Sequence, residues 1–282
     1  MPPEAHRRPV TKTSGDAQRR YLHGSGASER RRLEAQAELL GGDSFLPPVT
    51  PGMRVIDVGC GTGAIARRVA SSVAPGEVVG LDREPEQISA ARELAANGGV
   101  NLTFQLGRAE ELPYPDCGFD AAYCRFLLEH LHNPSLALAE MARVVRPGGW
   151  ICALEWEPDA LVMHPDCPNV LEVWRAIYRF QASTGVDPRV GRKLYALFRE
   201  GGLLEVHAST LAWSMTADEP ESLRLYVSGA REIIRQTRTD LVRGKYVQPN
   251  SLDLALQEYE HLLTSPSTFV SHVFCRAVGT RA

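Results

Sequence analysis

The 282-residue sequence has no Cys-x-x-Cys pair among its six cysteines, at 60, 117, 124, 152, 167 and 275, so the spacing of a zinc knuckle or a dithiol redox site is absent. Reduced thiols in a cytoplasmic protein are the simplest expectation. No apolar run nears the roughly 20 residues that span a bilayer, and Met1 to Arg20 holds no apolar stretch of the signal-peptide kind, so no membrane partner is expected. Neither sign of charge dominates. With 31 Lys and Arg against 34 Asp and Glu, the net charge of −3 provides no global field for nucleic acid, which is demoted as a partner. There is no internal repeat, and 24 Gly with 19 Pro follow no fibrous period. What remains is ordinary globular composition. At 44% hydrophobic and 23% charged, the chain is long enough for one large or two small domains with a real core.

Residues 1–20, rich in Pro, Arg, Thr and Ser, read as a flexible N-terminal tail, with a single domain over 21–282. An N-terminal helix is expected over 28–41, with Ser28 as its cap, Leu33, Ala37 and Leu40 on one face, and Gly41-Gly42 as its stop. Met53 to Val58 then reads as a strand running into a glycine loop, Gly59-Cys60-Gly61-Thr62-Gly63, and a helix through Ile65 and Val69. A second strand, Glu77–Asp82, precedes a helix opened by Pro85 and stopped by Gly98-Gly99. Strands at Leu102–Leu106, Phe119–Cys124 and Trp150–Leu154 continue the alternation, with a helix from Pro134 to Val145. Repeated βα units predict an α/β fold with a mostly parallel sheet and helices on both faces. After residue 156 the rhythm breaks. Two helical cap insertions are expected, about 159–188 and 218–263, around a strand at Val206–Trp213 and before a last strand at Phe269–Val278.

The loop Gly59-x-Gly61-x-x-Ala64, with Asp82 about 20 residues on, satisfies the fingerprint of an adenosyl cofactor, and NAD fits that much. Asp57 decides between them. A carboxylate at the end of the first strand repels a pyrophosphate, whereas S-adenosylmethionine brings an ammonium and a sulfonium. Gly63 further lets the backbone approach a bulky amino-acid tail.

Val55-Ile56-Asp57-Val58-Gly59-Cys60-Gly61-Thr62-Gly63 resembles motif I of the class I S-adenosylmethionine-dependent methyltransferases. Leu81-Asp82 resembles their ribose-binding acid, Gly107 to Pro113 the adenine-side segment, and Phe119-Asp120 the start of strand four. Arg125 to Leu131 followed by Arg146-Pro147-Gly148-Gly149 completes a resemblance covering about residues 50–156. Tyr21-Leu22-His23-Gly24, and His164-Pro165 through Gly191-Arg192, resemble a group of relatives of the menaquinone and ubiquinone methyltransferases. The length of the cap insertions points to a different acceptor, in secondary metabolism. The resemblance implies a Rossmann-like seven-stranded sheet whose last strand is antiparallel. It also implies cofactor contacts from Tyr21, from Asp57, Gly59, Cys60, Gly61, Thr62 and Gly63, and from Asp82 and Arg83. Ala109, Glu110, Arg125 and Phe126 are the further contacts. One departure is Arg108, which stands where the family has Asp, so the adenine amino contact either passes to Glu110 or is lost.

Methyl transfer from a sulfonium is an in-line displacement, and alignment alone provides much of the acceleration. If the acceptor must lose a proton, the candidate bases are His130, Glu155 and His164. Each also has a bland reading as a structural hydrogen-bonding group. Asp57 has one too, as a carboxylate that orders the glycine loop. His164, Asp166 and Cys167 have no recognised ligand spacing, so no metal is expected. The expected function is methyl transfer from S-adenosylmethionine, leaving S-adenosylhomocysteine, to an O, N or C atom of a small apolar or aromatic molecule under the cap. RNA or protein methylation, a cofactor-binding protein without transfer, and a dinucleotide oxidoreductase are the rivals. An oligomer joined through the cap helices is open on the sequence.

Overall fold

In the computed structural model, which describes residues 26–96 and 101–282, the sheet is laid out about β1 (Arg54–Val58), buried at four of its five positions. It pairs parallel with β2 (Glu77–Asp82) on one side and β4 (Phe119–Arg125) on the other. β3 (Leu102–Leu106) lies outside β2 and β5 (Val145–Trp156) outside β4, both again parallel. The near-continuous apolar runs of β1, β2 and β4 follow from this, because strands covered on both faces have no solvent side to alternate towards. The covers are α2 (Ala64–Val73), α3 (Pro85–Ala95), α4 (Pro134–Val144) and α6 (Leu194–Glu200). Two cores result. One joins Ile56, Leu81, Met141 and Phe198, and the other Val55, Val69, Ile88 and Phe104.

The long strand β8 (Phe269–Thr280) closes the sheet. It runs antiparallel to β5 over Phe274–Thr280, to β6 (Val162–His164) over Phe269–Ser271, and to β7 (Leu204–Thr216) from end to end. The sheet therefore has eight strands among the described residues, in the order β3-β2-β1-β4-β5-β8-β6 with β7 on the other side of β8. This corrects the expected seven. The extra strand is three residues of the segment read as helical insertion, which prolong the β5 side of β8 beyond the end of β5. The antiparallel last strand agrees with the resemblance.

Further helices are α5 (Pro168–Ser183), α7 (Pro220–Arg243) and α8 (Pro249–Thr264), each opened by proline at its first turn, where the missing N–H costs nothing. They share a separate apolar core built on Val173, Ile177, Val227, Leu252 and Tyr259. α1 (Ala27–Leu39) packs against α7. Its N-cap is Gly26 in extended conformation, so Ser28 lies inside the first turn and is not the cap. The stop expected at Gly98-Gly99 and the tail over 1–20 fall outside the described residues. No described helix is long and apolar enough to cross a membrane.

Ile56, fully buried at the centre of β1, reports on this core. Truncation to Ala is expected to lower unfolding stability by about 2–5 kcal/mol in urea titration. A loss under about 1 kcal/mol would mean that the sheet centre is not close-packed.

Candidate functional site

The chain leaves β1 through Gly59 at φ +77° and enters α2 through Gly63 at φ +73°, left-handed conformations that glycine adopts without strain. Space forbids a side chain there as well. A Cβ on Gly63 would lie 2.4 Å from the Phe104 ring, and one on Gly59 would lie 2.8 Å from Leu127. The turn is pinned to β2 by the Gly59 and Cys60 N–H groups, which donate to the Leu81 carbonyl at 2.7 and 2.9 Å. Asp82 completes it, accepting the N–H of Gly61 and of Glu84, each at 2.9 Å. Loop ordering, one reading of Asp57, thus falls to Asp82. The Thr62 hydroxyl donates to Glu34 at 2.5 Å, and Arg67 holds the same carboxylate, so the loop is tied to α1.

Asp57 is buried at the carboxyl end of β1, and burial pushes its pKa up to about 7 against the opposing effects of Tyr123 and Arg125. The Tyr123 hydroxyl faces Asp57 without reaching hydrogen-bond geometry. Asp82, half-buried, is also pushed up by burial. Between the strand ends sits Arg125, whose pKa burial lowers to about 10. Its Nη2 donates to the Leu40 carbonyl at 3.0 Å, while Nε and Nη1 have no partner among the described residues. The site therefore holds two carboxyls whose charged form burial disfavours, beside a guanidinium with two unused donors among the described residues.

A cavity of about 230 Å³ runs from this loop into the space under α5 and α7. Its loop end is lined by Gly59, Gly61, Asp82, Arg83, Ala109, Glu110 and Arg125. Asp57, Cys60 and Thr62 line a smaller adjoining pocket on the other side of Gly59 and Gly61. Phe126, at φ +52°, stands at the junction with its ring 5.2 Å from that of Trp156. Beyond it the walls are largely aromatic: Trp156, Trp174, Tyr178, Trp213 and Tyr226. The exposed Arg108 side chain reaches only towards Glu110, at 3.8 Å. Tyr21 lies outside the described residues.

The three candidate bases are not brought together. His130 lines the cavity, but burial pushes its pKa down to about 3, leaving a neutral imidazole that is a poor proton acceptor. Glu155 is fully buried behind the cavity wall, where Oε1 accepts the N–H groups of Leu127 and Leu128 at 3.1 and 2.8 Å. It holds the segment after β4 in place and does not line the cavity. His164 is exposed on β6 and does not line it either. A carboxyl that lines the cavity next to His130 is Glu129, held well above its ordinary range by burial and by Glu155. Sequence reasoning passed over it because its neighbour His130 carries the more familiar base. It also missed Gln87, Gln181 and His272, each buried in the lining with an unpartnered polar atom among the described residues. Helical spacing puts Gln181 on the Trp174–Tyr178 face, while nothing local marks His272.

A sheet with this strand order, and a glycine turn facing an acid at the end of the second strand, resemble a Rossmann-like methyltransferase fold with added helices and one added strand. Residues 56–153 match the family described as methyltransferase domain. An uncharacterized methyltransferase of Schizosaccharomyces pombe is 30% identical over 175 residues, 59% of this chain and 63% of that protein. The demethylmenaquinone methyltransferase of Deinococcus radiodurans is 39% identical over 107 residues, 38% of this chain and 44% of that one. The matched region spans less than two thirds of each relative's length. Among solved structures, the YcgJ protein of Bacillus subtilis has a similar fold, with TM-score 0.52 at 21% identity over 90% of this chain and 99% of that one. Residues 56–153 thus resemble a methyltransferase domain, and part of the chain is similar to methyltransferases that include a demethylmenaquinone methyltransferase.

Asp57 carries a pH signature. Folded, it holds its proton up to about pH 7, against ~3.9 in an unfolded chain, so its contribution to stability is full below about pH 4 and is lost as pH rises through 7. The buried neutral His130 and His272 oppose this only as pH falls below about 6.5. Between pH 6.5 and 8 the unfolding free energy of the ligand-free protein is therefore expected to fall, buried Glu155 at about 7 acting in the same sense, and Asp57→Asn to make that fall shallower without abolishing it. Urea midpoints at the two pH values test it, and equal slopes for both proteins would refute it.

Proposed function

We propose that the protein transfers a methyl group from S-adenosylmethionine to a small apolar or aromatic molecule enclosed in the cavity. The observation that carries this reading is the electrostatics of the loop. Asp57 and Asp82 flank a glycine turn and are both held up by burial, an arrangement that favours a cationic ligand and opposes a diphosphate. The ammonium of the cofactor suits Asp57, its carboxylate the free Nε and Nη1 of Arg125, and its ribose hydroxyls the remaining acceptor capacity of Asp82. Arg83, Ala109 and Glu110 line the far side, where an adenine would lie, with Gln87 offering an unused amide. Cys60, Thr62 and Gly63 act by shaping the turn. The bound cofactor supplies an electrophilic methyl carbon. What the chain contributes is alignment and exclusion of water by Phe126 and the aromatic walls, with Glu129 kept in its neutral, hydrogen-bonding form beside the acceptor space.

Support for a small acceptor comes from the size and lining of the cavity, about 230 Å³ reaching from the glycine loop to side chains of α5, α7 and β8. The menaquinone relative points in the same direction.

Incubation with methyl-labelled S-adenosylmethionine and cell extract, followed by separation into small molecules, protein and nucleic acid, tests the reading. Label is expected in the small-molecule fraction. Label confined to RNA or protein would overturn the acceptor class, and tight NADH binding with none of S-adenosylhomocysteine would overturn the cofactor. In calorimetry, Asp82→Ala is expected to weaken S-adenosylhomocysteine at least tenfold, because it loses a ribose acceptor and frees the Gly61 turn.

A further inference from the structure

Beyond Phe126 the cavity is walled by rings, yet at each end of it buried polar groups lack a hydrogen-bond partner among the described residues: His272 beside the Tyr226 hydroxyl, and Gln181. His272, on β8, is cross-strand partner to Trp213 and stacks on it, with ring centroids 6.3 Å apart and planes inclined by 28°. Trp156 meets its ring edge-on at 5.0 Å and Tyr226 at 5.3 Å. Only 8% of its surface is exposed, and Nε2 has no hydrogen-bond partner. The Tyr226 hydroxyl does not supply one, since it leans towards the Tyr259 hydroxyl, outside hydrogen-bond geometry. The second group is Gln181, 5% exposed, whose Oε1 is unpartnered.

The two lie apart. Trp174, Ile177, Tyr178 and Gln181 follow the helical spacing that places them on one face of α5, and all four line the cavity. Trp174 donates its indole N–H to the Tyr259 hydroxyl at 2.8 Å, which fixes it at the Tyr226 and His272 end. Gln181 is two helical turns further on, about 10 Å along the axis. A buried polar group left unpaired is costly, so a cavity holding two of them at separate ends is shaped for a ligand that satisfies both.

Charge narrows the class. Oε1 of Gln181 can only accept, so its partner is a donor. The His272 ring is kept neutral by burial, which pushes its pKa down to about 3, and cannot serve as counter-ion to an anion. Arg32, the cation on that side, is held by both carboxylate oxygens of Glu29 at 2.7 and 2.8 Å.

Building on the methyltransferase reading, we propose that the acceptor is an uncharged, extended aromatic molecule with hydroxyl groups at both ends, one bound by His272 and the other by Gln181. Stacking on Trp156 and Trp213 positions the ring plane, and the two hydrogen bonds set its orientation. His272 and Gln181 are thereby specificity-determining residues for the transfer.

Three probes on one ring skeleton test this: naphthalene-2,6-diol, naphthalene and naphthalene-2,6-dicarboxylate, titrated into protein saturated with S-adenosylhomocysteine and followed by tryptophan fluorescence. The diol is expected to bind at least tenfold tighter than naphthalene, and the dicarboxylate more weakly than either. His272→Phe and Gln181→Leu should each remove most of the diol's advantage, leaving naphthalene within twofold and S-adenosylhomocysteine affinity unchanged. His272→Gln should restore part of it. Equal binding of diol and naphthalene to the unaltered protein, a preference for the dicarboxylate, binding of none of the three, or a diol preference that survives in both variants would each overturn the proposal. The comparison on the unaltered protein stands even if a variant fails to fold. Loss of S-adenosylhomocysteine binding itself would instead sink the underlying methyltransferase reading.

Discussion

The site depends on one constraint: carboxylates drawn away from water at the ends of two adjacent parallel strands. Asp57 and Asp82 stand there because β1 and β2 are paired in register, with Asp57 opposite Gly80. Removing solvent raises the cost of their charge, a cost that a cation beside them would offset, and the proposed cofactor site rests on that. The glycines follow from it, since only a backbone without side chains turns sharply enough to leave Asp57 covered and Gly61 within reach of Asp82. Even Arg125 fits the pattern, a cation near the carboxylates whose unused donors await an anionic group on the same guest.

The second half of the chain adds enclosure. α5, α7 and α8 build an apolar core of their own and present one aromatic face to the cavity, so the acceptor space is walled partly by the sheet and partly by helices. In the proposed function the cofactor end draws its specificity from charge. Rings and isolated polar atoms do that work at the acceptor end, and the two chemistries meet at Phe126.

The fold was legible where local rules dominate. Proline at helix starts, glycine at the loop and apolar runs bounded by turns marked the βα order and a late final strand, whose antiparallel direction came only from the family resemblance. The eighth strand was hidden because three residues, Val162–His164, carry no periodicity, and only the length of β8 beyond β5 creates their place. At the site, Asp57, Asp82 and the glycines stood out because their spacing along the chain is their spacing in space. The bases did not. Glu155 follows β5 directly, yet the two N–H groups it accepts come from residues 27 and 28 positions earlier, a contact no local pattern announces. His272 was invisible for the same reason, since its setting is made by Trp156, Trp213 and Tyr226 from three other elements.

β8 touches β5, β6 and β7 at once, and it follows all of them in the chain. During ribosomal synthesis the edges of β5 and β7 therefore wait unpaired until this strand emerges, a vectorial order that leaves hydrogen-bonding edges open to other chains in the interval. His272 travels on the same strand. The pocket wall is thus assembled by the last step of sheet closure, so a nascent chain can present its glycine loop before it can enclose anything beside it.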